Sequence, residues 1–391
     1  MAQALARGYA TASTDTGHRT PGGGFALGHP EKLVDYAYRS EHDMTVTGKV
    51  AVQAFYGRAP EHSYFNGCST GGRQALTEAS RYPADFDGII AGAAANPKTH
   101  LDTWRIWMGL QTMRDPESRI PQEKYPAIHQ AVLAACDALD GVKDGLLEDP
   151  TRCHFDPGTL ACKDTDSASC LTPKQVKSVA TVLGPARSPR TGAEIFPGYM
   201  PGSELMWGRL IGGPEPYETA LDQFRFTVFN DARWDWRTFD VDRDLARADE
   251  ALKGLLTAID PKSIGPFLAR GGELLTYHGW ADQDIAPLAS VNFYKSVSQA
   301  VGDARTANGM RLFMVPGMGH CGGGDGPNTF DMMPALEAWV EKGAAPAEVV
   351  ASHSTRGVVD RTRPLCPYPQ VARYRGTGSI DAAESFACLL P

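Results

Sequence analysis

Tyr64-Phe65-Asn66-Gly67-Cys68-Ser69-Thr70-Gly71-Gly72-Arg73 is the stretch on which the fold turns. It reads as strand, sharp turn, helix. His62–Asn66 is a strand candidate, Gly67-Cys68-Ser69-Thr70-Gly71 is a G-x-S-x-G turn, and Arg73–Arg81 is helix-like. Small residues on both sides of Ser69 let the backbone reverse abruptly and present the hydroxyl at the edge of a sheet. An ordinary Gly/Ser turn would account for the pattern alone, but not for the strand and helix that flank it. Outward from this turn, Gly8–Asp15 is a short β-like run, Lys49–Tyr56 a helix stopped by Gly57, and Asp87–Ala95 a buried strand. Glu273–His278 and Met310–Val315 are two later strands. Asp331–Lys342 is an amphipathic helix with Met332, Leu336, Trp339 and Val340 on one face and Gly343 as its stop. Alternating strands and helices predict a mainly parallel α/β sheet.

Between the two halves the texture changes. Residues 97–270 carry an Asp-rich segment, four of the eight cysteines and five of the seven tryptophans. The expected organisation is a first core part at 1–96, an inserted lid at 97–270 and a second core part at 271–391. The chain has 391 residues, with 42% apolar and 21% charged residues and a formal net charge of −8. That apolar content can offset the ordering entropy a disordered chain cannot. The negative charge argues against a nucleic-acid partner. No apolar run approaches the ~20 residues of a membrane-spanning helix.

A serine in such a turn needs a base, and the base needs an orienting carboxylate. The two late strands are each followed by a loop that supplies one. His278-Gly279-Trp280-Ala281-Asp282-Gln283-Asp284 follows the first, and Pro316-Gly317-Met318-Gly319-His320-Cys321 the second. Ser69, Asp282 and His320 thus occur in the order Ser, acid, His found in α/β-hydrolases, each at a strand's carboxyl end. Asp284 is a rival acid, and His278 and His353 are rival bases. His278 reads better as a hydrogen-bonded core residue of the strand. The Thr70 N–H, directly after the serine, is the expected oxyanion donor.

Eight cysteines could all be reduced thiols, but their spacing suits a disulfide framework and an oxidising compartment, secreted or periplasmic. Cys136–Cys153, Cys162–Cys170 and Cys366–Cys388 are local pairs across turn-rich segments. The first, with its 17-residue separation, would contribute roughly 3 kcal/mol by the loop-entropy argument. Cys68 and Cys321 are left over. Were they to pair, their Cα atoms would lie about 5.5–6 Å apart and would draw Ser69 and His320 together.

Cys68-Ser69, Asp282 and His320-Cys321, taken with GYATASTDTGH (8–18), YFNGCSTGGRQ (64–74), FDGIIAG (86–92), YHGWAD (277–282), PGMGHCGGG (316–324) and RPLCPYPQVARY (363–374), resemble the CS–D–HC pattern of the tannase/feruloyl esterase family. The similarity runs over nearly the whole chain. It implies an α/β-hydrolase core with a lid, serine esterase chemistry and a disulfide beside the catalytic residues. Cys136-Asp137-Ala138-Leu139-Asp140-Gly141-Val142-Lys143-Asp144-Gly145-Leu146 holds three aspartates among tight-turning glycines. Carboxylates and carbonyls are the donors Ca²⁺ prefers, although the spacing is not that of an EF-hand. The resemblance implies a structural Ca²⁺ in the lid, held by the side chains of Asp137, Asp140 and Asp144 and the carbonyls of Val142 and Leu146.

The expected substrates are phenolic esters, feruloyl or other hydroxycinnamoyl esters first and galloyl esters next. Terephthalate monoesters would need a contact to their free carboxylate. Phe224, Phe226, Phe229, Trp234 and Trp236, with Arg225 and Arg233 interleaved, could stack on a phenolic ring or simply build the lid's core. The β-like run at Gly8–Asp15 begins close to Met1, whereas family members carry early strands and a Gly-rich oxyanion loop before the corresponding strand. The expectation is therefore a core shortened at its front, with weak activity or poor folding. A calcium-dependent binding protein without catalysis is the other alternative.

Overall fold

The computed structural model describes residues 1–391. In chain order its strands are β1 (Tyr64–Cys68), β2 (Gly88–Gly92), a short ribbon β3 (Ala186–Arg187) and β4 (Glu194–Phe196), then β5 (Glu273–Gly279) and β6 (Met310–Val315). A hairpin of β7 (Val349–Thr355) and β8 (Val358–Leu365) and a pair of β9 (Val371–Tyr374) and β10 (Phe386–Leu389) follow. β1, β2, β5 and β6 form one four-stranded sheet in that spatial order. Every pairing in it is parallel. The helices that frame the first half are α1 (Ala2–Ala6), α2 (Pro30–Val34), α3 (Ser40–Tyr56), α4 (Thr70–Arg81) and α5 (Lys98–Thr112).

Both faces of the sheet are covered, as a parallel sheet requires. Ile89, Ala91, Leu274 and Met310 point to one face and pack on Ala75, Leu76 and Ala79 of α4, on Val297 and on Phe267. Ile90, Leu275, Phe313 and Val315 point to the other and pack on Met332, Leu336, Val349 and Leu365. Consecutive apolar residues in β2 and β5 therefore serve opposite cores, which is why these strands read as unbroken apolar runs. Each such side chain contributes roughly 1.5–3 kcal/mol by leaving water.

The expected strands at 62–66, 87–95, 273–278 and 310–315 are all present with small boundary shifts. Two expectations change. Gly8–Asp15 is irregular and makes no ladder, because no strand lies beside it to share hydrogen bonds; its Tyr9 instead meets Tyr64 of edge strand β1 edge-on at 6.4 Å. The helix expected over 49–56 is the second half of the longer α3, ended as expected by Gly57 in the left-handed region. The late helix runs over Met333–Lys342, two residues shorter at its start than 331–342, with Gly343 as its left-handed stop.

Residues 97–270 build the largest apolar core, around Trp104, Trp207, Phe224 and Trp236. That core is continuous with Ile285, Ala286 and Ala289 after β5 and with Ala26, Leu33 and Ala37 near the start. Arg105 of α5 donates to the carbonyl of Asp284 at 2.8 Å, and the Tyr199 hydroxyl donates to that of Gln283 at 2.7 Å. The intervening segment thus grips the loop that follows β5 from outside the sheet.

Candidate active site

Ser69 stands alone between β1 and α4 with φ 65° and ψ −119°. This is a conformation most side chains avoid, at a cost of order 1–3 kcal/mol. The surroundings hold it there. Its N–H donates to the Gly92 carbonyl at 2.9 Å, and its carbonyl accepts from Arg73 at 3.0 Å and Ala95 at 3.2 Å. The elbow depends on its glycines: a Cβ at Gly67 would meet the Gly71 carbonyl oxygen at 2.5 Å, and one at Gly72 would run into the Gly92 carbonyl and Ala94. Gly72 is what lets α4 lie close against the end of β2. The Thr70 N–H, in the first turn of α4, donates to no protein acceptor.

The three residues singled out from the sequence meet. His320 Nε2 lies 2.7 Å from the Ser69 hydroxyl, and His320 Nδ1 lies 2.8 Å from Asp282 Oδ2. The network assigns the proton to Nδ1, since Asp282 can only accept, and leaves Nε2 free to accept from the serine. Asp282 is fully buried. Its Oδ1 accepts from the N–H groups of Asp284 at 2.7 Å and Ile285 at 2.8 Å, and its Oδ2 from His278 Nε2 at 3.0 Å as well as from His320. Burial pushes this carboxyl up, but hydrogen bonds from His278 and His320 outweigh it and hold the group well below the usual carboxylate range. The carboxylate is ionised and fixed, which suits it to orient an imidazole and stabilise its cation.

The rivals separate by geometry. Asp284 Oδ2 lies 3.9 Å from His320 Nε2 and pairs with Arg209 at 3.1 Å, so it does not take the Nδ1 proton. Burial raises its carboxyl above the ordinary value. His353 sits on β7, bonded to Asp360 at 2.6 Å, away from the serine. His278 is fully buried at the end of β5, as expected, but it does more than fill the core. Its Nδ1 meets the Ser290 hydroxyl at 2.7 Å, and its Nε2 N–H bridges Asp282 and the Ile285 carbonyl, 3.1 Å away. The sequence reading missed that support, and it missed Gln283, whose side-chain oxygen accepts from the His320 N–H at 3.0 Å. The spacing His278 to Asp282 was visible, but nothing in it says that a strand end folds back on its own loop.

All eight cysteines are paired, Cys136–Cys153, Cys162–Cys170 and Cys366–Cys388 as the spacing suggested and Cys68–Cys321 as the resemblance implied, and none is free. The alternative of eight reduced thiols falls. Cys68 and Cys321, 253 residues apart, bring their Cα atoms to 6.1 Å. The bridge joins the residue before Ser69 to the residue after His320, and Cys321 takes φ 59° to make the connection.

The aromatic stretch at 224–236 is largely structural. Phe224 and Trp236 are buried in the large core, Phe224 meets Phe239 at 4.8 Å, and Trp234 stacks on Phe229 at 4.9 Å. Of the two readings, Phe224 and Trp236 follow the second and build the core of the segment. A small, partly open concavity lies between the Asp-rich loop and the post-strand loops, lined by Leu146, Met206, Trp280 and Gly317, among others. None of Ser69, Asp282 and His320 lines it.

The Asp-rich loop is folded on its own carboxylates. Asp137 accepts from the Asp144 and Gly145 N–H groups at 3.2 and 3.1 Å, Asp140 from Val142 at 3.1 Å, and Asp144 from Leu146 at 3.2 Å. The carbonyls of Val142 and Leu146 accept no hydrogen bond from the protein. Burial, reinforced by Asp144 and Asp137, lifts Asp140 to about 6; burial, with Asp140 and Asp144 adding, lifts neighbouring Glu148 to about 8. Arg363, fully buried, pairs with Asp144 and lies 3.5 Å from Glu148. One guanidinium thus faces several carboxyls. The loop offers hard oxygen donors and uncompensated negative charge, which fits a Ca²⁺. Its three aspartates do not gather their ligand atoms within 4.8 Å of one another.

The family profile described as tannase and feruloyl esterase matches residues 1–389. An uncharacterized esterase of Xanthomonas campestris pv. campestris is 38% identical over 436 residues, spanning 99% of this chain and 76% of that protein. A probable feruloyl esterase B-2 of Aspergillus terreus is 33% identical, spanning 100% of this chain and 77% of that protein. The crystal structure of feruloyl esterase B from Aspergillus oryzae superposes with a TM-score of 0.93 at 33% identity, over 100% of this chain and 82% of that one. The tannin acyl hydrolase of Aspergillus niger shares the fold, with a TM-score of 0.77 at 22% identity over 94% of this chain and 72% of its own.

Proposed function

Because the chain belongs to the tannase and feruloyl esterase family and is a carboxylic ester hydrolase of phenolic esters, we propose that it cleaves feruloyl or other hydroxycinnamoyl esters first, and galloyl esters next, through an acyl-enzyme on Ser69. The observation that carries this reading is the unbroken chain of contacts from the Ser69 hydroxyl to His320 Nε2 and from His320 Nδ1 to Asp282.

In the proposed mechanism His320 accepts the serine proton as the Ser69 oxygen attacks the ester carbonyl. Asp282 stabilises the imidazolium that forms. The Thr70 N–H, free of other acceptors, donates to the oxyanion, where one such donor is worth about 10²–10³ in rate. His320 returns the proton to the leaving alcohol, and the acyl group stays on Ser69. Water then attacks the acyl-enzyme with His320 again as base, and the acid is released. The buried Asp282, held by four hydrogen bonds, keeps His320 in the one orientation that serves both halves of the cycle.

The same reading gives the Asp-rich loop a structural Ca²⁺, held by Asp137, Asp140 and Asp144 and by the carbonyls of Val142 and Leu146. When bound, the ion neutralises the loop's carboxylates and takes no part in bond breaking. Residues 97–270 act as the lid over the acyl site. Four disulfides favour a secreted or periplasmic setting. No helix is long and apolar enough to cross a membrane.

The substrate reading is tested by kcat/KM for a series of methyl esters of one chain length: ferulate, p-coumarate, gallate and an aliphatic acid. The expected order places the hydroxycinnamates first, at least tenfold above the aliphatic ester. An aliphatic ester turned over as well as ferulate contradicts it.

A further inference from the structure

At the far end of α4 from Ser69 lies a second group of side chains that the ester chemistry does not use. His42 of α3, Glu78 of α4 and Asp85 of the following loop each bring one ligand atom to within 4.8 Å of the others. His42 Nδ1 lies 2.6 Å from Asp85 Oδ2, and the imidazole is stacked on Tyr82 at 3.9 Å, which sets its plane. Glu78 is only 1% exposed, and neither of its carboxylate oxygens has a hydrogen-bond partner. The nearby side-chain donors are otherwise engaged. Lys49 donates to the Asp85 main-chain carbonyl, Gln74 donates to Glu41, and Arg73 donates to the carbonyls of Tyr36 and Ala37.

A buried carboxylate with no donor beside a second carboxylate is costly unless a proton or a cation neutralises it. We propose that His42, Glu78 and Asp85 bind a divalent transition-metal cation of the Zn²⁺ type, with solvent completing its coordination, and that this ion ties α3 to α4.

The donor set decides the type of cation. One imidazole and two carboxylates match Zn²⁺, whereas Ca²⁺ takes six to eight oxygens and has no use for the ring nitrogen. Bonds of about 2.0–2.2 Å need ligand atoms roughly 3.3 Å apart in a tetrahedral site, and the three ligand atoms here lie within 4.8 Å of one another. The His42 and Asp85 side chains are 30% and 14% exposed, which leaves an entry path. A tie here also has a structural purpose. Of the 17 residues of α3 only Glu41 and Thr45 are buried, so the helix has little core of its own to hold it.

The test is zinc binding by the tag-free full chain, measured by calorimetry and metal analysis, on wild type, Glu78→Gln and His42→Ala. The expected result is one tightly held Zn²⁺ in wild type and its loss in both variants. Added Zn²⁺ should raise the melting temperature of wild type and leave that of Glu78→Gln unmoved, while Glu78→Gln without metal melts no lower than wild type. Mn²⁺ should bind more weakly, and Ca²⁺ should not compete. A folded wild type that holds no zinc overturns the proposal in favour of a shared proton between Glu78 and Asp85. Stoichiometric zinc that survives both substitutions overturns it too. Neither readout depends on esterase activity.

Discussion

Asp282 accepts four hydrogen bonds while completely buried, two from main-chain N–H groups of its own loop and one each from His278 and His320. A depressed carboxyl of this kind contributes stability that is present above the ordinary carboxylate range, about pH 3.9, and lost as the pH falls through its lower native value. Asp284, two residues on, has one oxygen unpartnered and the other on Arg209. The two aspartates therefore make different predictions. Asp282→Asn should lower kcat by on the order of 10⁴-fold, because an amide cannot hold both histidines as acceptor and His320 loses its tautomer. Asp284→Asn should stay within about tenfold of wild type, as expected for a group that does not take the Nδ1 proton. Kinetics of the two variants at one pH decide the assignment, and a larger loss for Asp284→Asn would reverse it.

At the scale of elements, the site is two loops and an elbow held at the carboxyl ends of β1, β5 and β6. The disulfide between Cys68 and Cys321 is the one covalent tie across that end of the sheet. Replacing both cysteines with serine should cost about 2–5 kcal/mol of stability and should lower kcat more than it raises KM, since it loosens the serine against the histidine rather than removing a substrate contact. Thermal melts and steady-state kinetics on the double variant test this, and an unchanged kcat would mean that the hydrogen bonds alone set the geometry. The elements themselves were legible where chemistry is local. Gly67 and Gly71 around Ser69, the apolar runs of β2 and β5, and Gly57 and Gly343 as helix stops all announce what they do. What stayed hidden depends on a partner distant in sequence. Gly8–Asp15 has the composition of a strand, yet strand formation needs a neighbour to share hydrogen bonds, and composition cannot report one. The grip of Arg105 and Tyr199 on the loop after β5 is likewise a contact between segments some 80 to 180 residues apart.

At the scale of the molecule, the residues of the site come from positions 69, 282 and 320, and only the assembled four-stranded sheet, with its two apolar cores and the large core of the intervening segment behind it, brings them together. Order along the chain was readable because strands in a parallel sheet deliver their following loops to the same end. Distances were not, because they depend on how the intervening segment packs. The direct test of the whole assembly is Ser69→Ala, assayed with methyl ferulate after its melting temperature and disulfide content are matched to wild type. The expected result is a normally folded protein whose kcat falls by at least 10³-fold. A matched fold with undiminished turnover would contradict the central claim, that Ser69, driven by His320 and Asp282, is the nucleophile.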